Sequence, residues 1–250
     1  MKVIKVSGQL LAGRDQINEI ARILAQVPDP ILVVHGGGPR IDQLQQELGL
    51  PINKVDGLRV TDQPTLSTAL MVLCGEINKS LVAAMVENGI GALGLSGVDG
   101  SLFRVEKLPH SEHDLGFVGQ IVEVNSELLN RLHSTGMTLV VAPLASGPNG
   151  QIYNVNADQV ASALAVALGA SELHMLSNVS GVHVDGTLVT ELNHQQVELL
   201  IGSGEINGGM IPKVRSGIEA LLSGVPRVRI ANPQGLVAGT GTSLYLEGKD

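Results

Sequence analysis

Short apolar runs alternate along the chain with longer segments whose apolar residues recur at helical spacing. Val3, Ile4 and Val6 make a first strand, and Ile31 to Val34 a second that is apolar throughout, as strands buried on both faces are. Between them Ile17, Ile20, Ala21, Leu24 and Val27 share one face of a helix spanning Ile17 to Val27. Pro39 opens another helix through Leu48, proline suiting a first helical position because an N–H there would have no intrahelical partner. Thr65 to Asn88 reads as one long helix closed by Asn88-Gly89. Ile90 to Leu95 and Thr138 to Ala142 continue the strand series, with a β-excursion over Leu102 to Val124 and a helix from Ser126 between them. Further on come a turn at Pro148-Asn149-Gly150, a helix from Ala157 to Gly169 and a strand from Leu173 to Leu176. Val182 to Val189 is a hairpin about Asp185-Gly186, a pair suited to a type I′ turn. A loop from Gly202 to Gly209 feeds a last helix ending near Gly224, and Arg227 to Ala231 and Ser243 to Leu246 are closing strands.

Strands alternating with helices predict an α/β fold, a mainly parallel sheet with crossover helices. No Pro- or Ser-rich linker divides the chain, so residues 1–250 are expected to form one domain. Its two lobes, roughly 1–150 and 151–250, share one sheet and meet near residues 143 to 155.

Composition narrows the function. The hydrophobic fraction of 44% against 16% charged residues excludes a disordered chain, and without Trp and with two Tyr and two Phe the core is built from aliphatic residues. A net charge of −8 without a basic cluster or stacking aromatics speaks against nucleic-acid binding, and an anionic ligand then needs a local positive site. Cys74, the one cysteine, lies in an apolar helical stretch and reads as a small buried hydrophobe; neither a disulfide nor a thiol metal site is expected. Met1 leads straight into a strand pattern, and the apolar stretches are interrupted short of the ~18 residues a membrane span needs, so a soluble, cytoplasmic protein with no membrane contact is expected.

The P-loop pattern is missing, the only Gly-Lys being Gly248-Lys249, and so are the protein-kinase signatures, a Gly-x-Ser-x-Gly elbow and any His/Cys metal spacing. Gly89, Gly91 and Gly94 match G-x-G-x-x-G but follow a helix and lead into a strand, the reverse of the dinucleotide-binding context, so they read as a turn and close packing. The stronger signal is His35-Gly36-Gly37-Gly38-Pro39, where a strand runs into three glycines and a helix start. Bare N–H groups at a positive helix end cradle an anion, commonly a phosphate; the alternative is a tight turn with one glycine at positive φ. His35 reads as a packed or hydrogen-bonding support residue. Lys5, at the end of the first strand before Ser7-Gly8, would share the carboxyl-end mouth of the sheet with those glycines, although a lysine taken alone is most often a surface residue. Asn154 to Asp158 leads into a helix, where Asp158 serves either a metal-phosphate contact or only the helix dipole, and Lys213 falls in a Gly-rich loop before the last helix.

Lys5-Val6-Ser7-Gly8, His35-Gly36-Gly37-Gly38, Gly57-Leu58-Arg59-Val60-Thr61, Asn154-Val155-Asn156-Ala157-Asp158 and Gly209-Met210-Ile211-Pro212-Lys213 occur in this order over nearly the whole chain. Together they resemble the amino acid kinase family, within it the acetylglutamate kinase branch; Gly-Leu-Arg-Val-Thr and Asn-Val-Asn-Ala-Asp are the specific strings. The resemblance implies an open αβα sandwich with the acceptor site in the N-terminal lobe and ATP in the C-terminal lobe. It implies transfer of the ATP γ-phosphoryl group, with Mg²⁺, to the side-chain carboxylate of N-acetyl-L-glutamate, a step of arginine biosynthesis. By position Lys5 and Lys213 would stabilise the transferring phosphoryl group and Asp158 would orient them. Gly37, Gly38, Arg59 and Asn154 would hold the acetylated amino acid. Gly8, Asn178, Val179, Ser180, Gly181, Val182 and His183, with Glu205, Ile206 and Asn207, would line the nucleotide; no residue is expected to ligate a metal.

A carboxylate acceptor, with a reference pKa of about 4.3, needs no general base. The difficulty is repulsion between two anions, which lysines, backbone N–H groups and Mg²⁺ offset, while Arg59 can grip the α-carboxylate bidentately. Ser7 departs from the family pattern by replacing the first of two glycines, keeping the backbone N–H but adding bulk, and Asn178 stands where many relatives carry Asp. The chain begins at the first strand, without the N-terminal helix of arginine-sensing hexameric relatives, so a homodimer without arginine feedback is expected. Rival readings are an N-acetyl-aminoadipate kinase of lysine biosynthesis, whose acceptor is one methylene longer, a sensing relative that binds acetylated amino acid or ATP without turnover, and a dinucleotide-dependent dehydrogenase, which the misplaced glycine fingerprint disfavours.

Overall fold

The computed structural model describes residues 1–247; Gly248 and Lys249 lie outside the described residues. Eight strands make the main sheet: β1 (Lys2–Val6), β2 (Ile31–His35), β3 (Ala92–Ser96), β4 (Thr138–Ala142), β5 (Glu172–Leu176), β6 (Glu191–Asn193), β7 (Val228–Ala231) and β8 (Thr242–Tyr245). Their order is β6-β8-β7-β5-β1-β2-β4-β3, and every neighbouring pair is parallel except β7 with β8. The helices are α1 (Arg14–Leu24), α2 (Gly38–Glu47), α3 (Gln63–Glu87), α4 (Ser126–His133), α5 (Ala157–Ala167), α6 (His194–Gly202), α7 (Met210–Leu222) and α8 (Pro233–Ala238).

Strand side chains alternate between the two faces, and the core divides accordingly. Val3, Leu32, Val34, Leu173 and Met175 pack on one face with Val160 and Leu164 of α5 and Val214 and Ile218 of α7. Ile4, Val6, Ile31 and Val33 pack on the other with Ile17 and Ile20 of α1 and Leu66, Val72 and Ile77 of α3. By the same alternation Lys5 shares the α5 face with Val3, and His35 shares the α3 face with Val33. The β-excursion is an antiparallel pair, Phe103–Lys107 with Gly119–Val124, and Asp185 and Gly186 turn their hairpin with φ of 49° and 75°, both positive as a type I′ turn requires.

Several expectations are corrected. The first helix starts at Arg14 and stops at Leu24, short of Val27, because Pro28 disfavours helical geometry just before it. Helix α6 is additional; a capping box between Asn193 and Gln196 starts it. Helix α7 is not the last, since Asn232 caps α8. A hairpin pairing Lys54–Val55 with Leu58–Arg59, turned by Asp56-Gly57, is likewise additional. The long helix is real but runs from Gln63 to Glu87 and widens into a π-helical stretch over Met71–Ile77. By length and composition it can cross a membrane, contrary to the sequence expectation, but its inner face lies in the core against α1 and the sheet. Cys74, in that stretch, is half-buried rather than buried.

Candidate active site

Parallel strands deliver their carboxyl ends to one edge of the sheet, where a cleft of about 590 Å³ opens over β1, β2 and β5. The N-terminal ends of three helices border it: Gly38 and Pro39 of α2, Ala157 and Asp158 of α5, and Met210 of α7. Each such end carries a partial positive charge. Lys5, Lys54, Arg59 and Lys213 line the cleft against the acidic Asp42 and Asp158, a local cationic excess on a chain of net charge −8.

Lys5 is a buried residue, 4% exposed, and its Nζ lies 2.9 Å from Oδ1 of Asp158 in the first turn of α5. The side chain of Asn156 caps that helix, accepting from the N–H of Asp158 at 2.8 Å, which places the carboxylate beside the strand end. Lys213 lies in the first turn of α7 and donates to Gly209 O at 2.9 Å. Burial pushes its ammonium below the ordinary lysine range, with Asp158 pulling it back up and Lys5 pushing it further down. The two lysines and Asp158 therefore act on one another in one cavity.

The glycines approach backbone to backbone. A Cβ on Gly8 would lie 2.7 Å from Gly37 N and 2.9 Å from Gly38 N, and one on Gly37 would meet Ile77 and Leu73 of α3 at 2.6 and 2.7 Å. A Cβ on Gly8 would strike backbone and one on Gly37 the ends of two side chains, and φ at Gly36, Gly37 and Gly38 is not positive, so close approach rather than turn geometry favours glycine. The backbone N–H that Ser7 keeps is spent on Leu176 O at 3.1 Å, and Gly8, which lines the cleft, begins the following 3₁₀ turn.

Arg59, on the Lys54–Arg59 hairpin, ion-pairs through Nη2 with Asp42 Oδ1 at 2.5 Å, donates through Nη2 to Gly38 O at 3.2 Å and through Nη1 to Gln45 Oε1 at 2.6 Å. Lys54 holds the other oxygen of Asp42 at 2.8 Å. Sequence reasoning missed Asp42 and Gln45, whose only signal is their position on the face of α2 that follows the glycines. An incoming carboxylate thus shares Arg59 with Asp42, so a free bidentate fork is not what the pocket presents. Asn154 lines the same end, donating to Thr61 Oγ1 at 3.3 Å.

Of the residues expected along a nucleotide, Gly8, Asn178 and Val179 line the cleft, whereas Ser180, Gly181, Val182, His183, Glu205, Ile206 and Asn207 do not. Val182 and Ile206 are 2% and 1% exposed and their side chains belong to the core. His183 is turned to Ser180 and Gly181 O at 3.2 and 3.1 Å.

A model of the amino acid kinase family matches residues 1–232. Acetylglutamate kinase of Roseiflexus sp. is 47% identical over 246 residues, 98% of this chain and 93% of that protein. Acetylglutamate kinase of Methanopyrus kandleri is 43% identical over 250 residues, 97% of this chain and 99% of that protein. The crystal structure of smu.665 from Streptococcus mutans superposes with a TM-score of 0.83 at 28% identity, covering 97% of each chain.

Proposed function

This chain belongs to the amino acid kinase family, and on that premise we propose that it transfers the γ-phosphoryl group of ATP to the side-chain carboxylate of N-acetyl-L-glutamate, giving an acyl phosphate for arginine biosynthesis. The observation that carries the reading is the pair Lys5 and Lys213, from the first strand and from α7, set about Asp158 in one cleft ringed by helix N-termini.

The acceptor is already ionised at neutral pH, so catalysis consists of bringing two anions together. Lys5 and Lys213 neutralise charge on the transferring group, and Asp158 holds Lys5 at the strand end. The N–H groups of Gly8, Gly37 and Gly38 add donors that no side chain obstructs. Arg59 and Asn154 hold the acetylated amino acid at the α2 end, while Asn178 and Val179 accompany the nucleotide at the β5 end. The N-terminal lobe, roughly residues 1–150, then takes the acceptor and the C-terminal lobe, roughly 151–250, the nucleotide, with Asn154 reaching the acceptor from just past the boundary and Gly8 the nucleotide from the first lobe. Among the described residues no cluster of His, Cys, Asp or Glu could hold a metal ion, and Asp158 is occupied by Lys5. The donor set therefore suits a Mg²⁺ ion carried in on the phosphates, where it would neutralise their charge.

Purified protein given MgATP and N-acetyl-L-glutamate should form an acyl phosphate that hydroxylamine traps as a hydroxamate; no hydroxamate sinks the proposal. The same assay with N-acetyl-aminoadipate sets selectivity, since one methylene is worth only about 1–3 kcal/mol. Lys5→Ala and Lys213→Ala should each lower kcat by roughly 10²- to 10³-fold with little change in acceptor KM, as for a lost oxyanion donor. We further propose a cytoplasmic homodimer. The outer face of α3 leaves Met71 and Val86 more than half exposed, and the C-terminal part of that helix packs beside β3, one of the two edge strands of the main sheet.

A further inference from the structure

His35 and Asn78 form a polar pair, 0% and 1% exposed, inside an aliphatic core between β2 and α3. Burying an imidazole and an amide among Ile, Leu and Val is unfavourable unless every polar atom is matched. Here each is. Asn78 Nδ2 donates to Val140 O at 2.9 Å and contacts His35 Nε2 at 3.1 Å, while its Oδ1 accepts from Lys79 Nζ at 3.1 Å. A carbonyl only accepts and an ammonium only donates, so the amide has one orientation. Nε2 of His35 must then be the bare, accepting nitrogen, and the ring proton sits on Nδ1, which donates to Gly36 O at 3.2 Å.

We propose that His35 and Asn78 are positioning residues, a buried imidazole held in one tautomer by a buried amide, whose task is to clamp the carbonyl of Gly36 and so aim the N–H of Gly37 into the cleft. The peptide between Gly36 and Gly37 is planar and trans, so its C=O and N–H point in opposite directions. Tying the oxygen to His35, on the α3 side, turns the nitrogen away from α3. The N–H of Gly36 is bound to Val6 O at 2.9 Å, so the residue is held at both ends. Leu73 and Ile77 of the π-helical stretch press on Gly37 from the same side, and Asn78 follows immediately after that stretch. A fully satisfied buried network of this kind favours rigidity. Burial, aided by the charge of Lys79 and opposed by the Gly36 carbonyl, lowers the imidazole pKa to about 4, so the ring stays neutral at working pH.

The inference rests on the phosphoryl-transfer reading for its catalytic consequence, and two measurements separate the two. In the hydroxamate assay His35→Leu should lower kcat by roughly 10- to 100-fold with acceptor KM changed less, the loss expected when a backbone donor is misaimed. His35→Asn, which returns a donor near the Nδ1 position, should recover most of it. Folded His35→Leu with wild-type kcat, or His35→Leu and His35→Asn impaired equally, overturns the proposal. Should His35→Leu fail to fold, Asn78→Ala decides: a folded variant with reduced kcat supports it and one with wild-type kcat overturns it. If the wild type makes no acyl phosphate, the transfer reading falls, and ¹⁵N NMR of the His35 ring still judges the clamp. A proton on Nδ1 between about pH 5 and 8 supports it, and a proton on Nε2 overturns it.

Discussion

The ammonium of Lys213 is held where burial works against its charge. Its folded pKa lies below the ordinary lysine value, so between the two the unfolded chain binds more protons and stability rises with pH, the full penalty being present below the folded pKa. Lys213→Met should therefore raise Tm by a few degrees in a thermal melt while removing most of kcat, a trade of stability against activity of the kind functional sites show. His35 has the same direction of shift at a different pH. Its pKa falls from 6.5 to about 4, so its contribution is intact above 6.5 and declines as pH drops, because the unfolded chain takes a proton that the folded chain refuses. A shift of that size corresponds to about 3 kcal/mol of stability lost by pH 4. Denaturant midpoints measured from pH 7 to 4 should fall for the wild type and fall less for His35→Leu.

Two loops, after β1 and after β2, form the cradle only because glycine meets glycine. On Gly8 an added methyl would strike backbone atoms of Gly37 and Gly38, which cannot rotate aside, whereas on Gly37 it would strike the ends of Leu73 and Ile77. Gly8→Ala should thus lower kcat at least as much as Gly37→Ala, and steady-state kinetics with a melt of each variant tests that order. The triglycine string was legible as an anion cradle, since its composition is local. Its reason was not legible, because the glycine that Gly8 meets lies in the loop after the next strand over, and sheet order brings it there.

At the scale of the molecule, an acidic chain draws in two anionic substrates through a cleft whose own lining is cationic. The proposed dimer covers Met71 and Val86 on an outer face of α3 that otherwise carries Ser67, Glu76, Lys79 and Glu87. Light scattering should report twice the chain mass, and Met71→Lys should yield monomer with the cleft chemistry retained; a monomeric wild type sinks that part of the proposal.

Strand and helix periodicity, the glycine string and the Asn154 to Asp158 turn were readable in the chain itself, because hydrophobic alternation, capping and turn residues are constraints among near neighbours, whereas Lys5, Lys213 and Arg59 stood out only through the family strings that contain them. Only the tertiary structure decided that Lys5 meets Asp158, that Asp42 and Gln45 occupy Arg59, that the N–H of Ser7 is spent on Leu176, and that His35 is locked by Asn78. Each of these joins residues far apart in sequence, and their meeting depends on strand order and on the face toward which each helix packs, which no local pattern encodes.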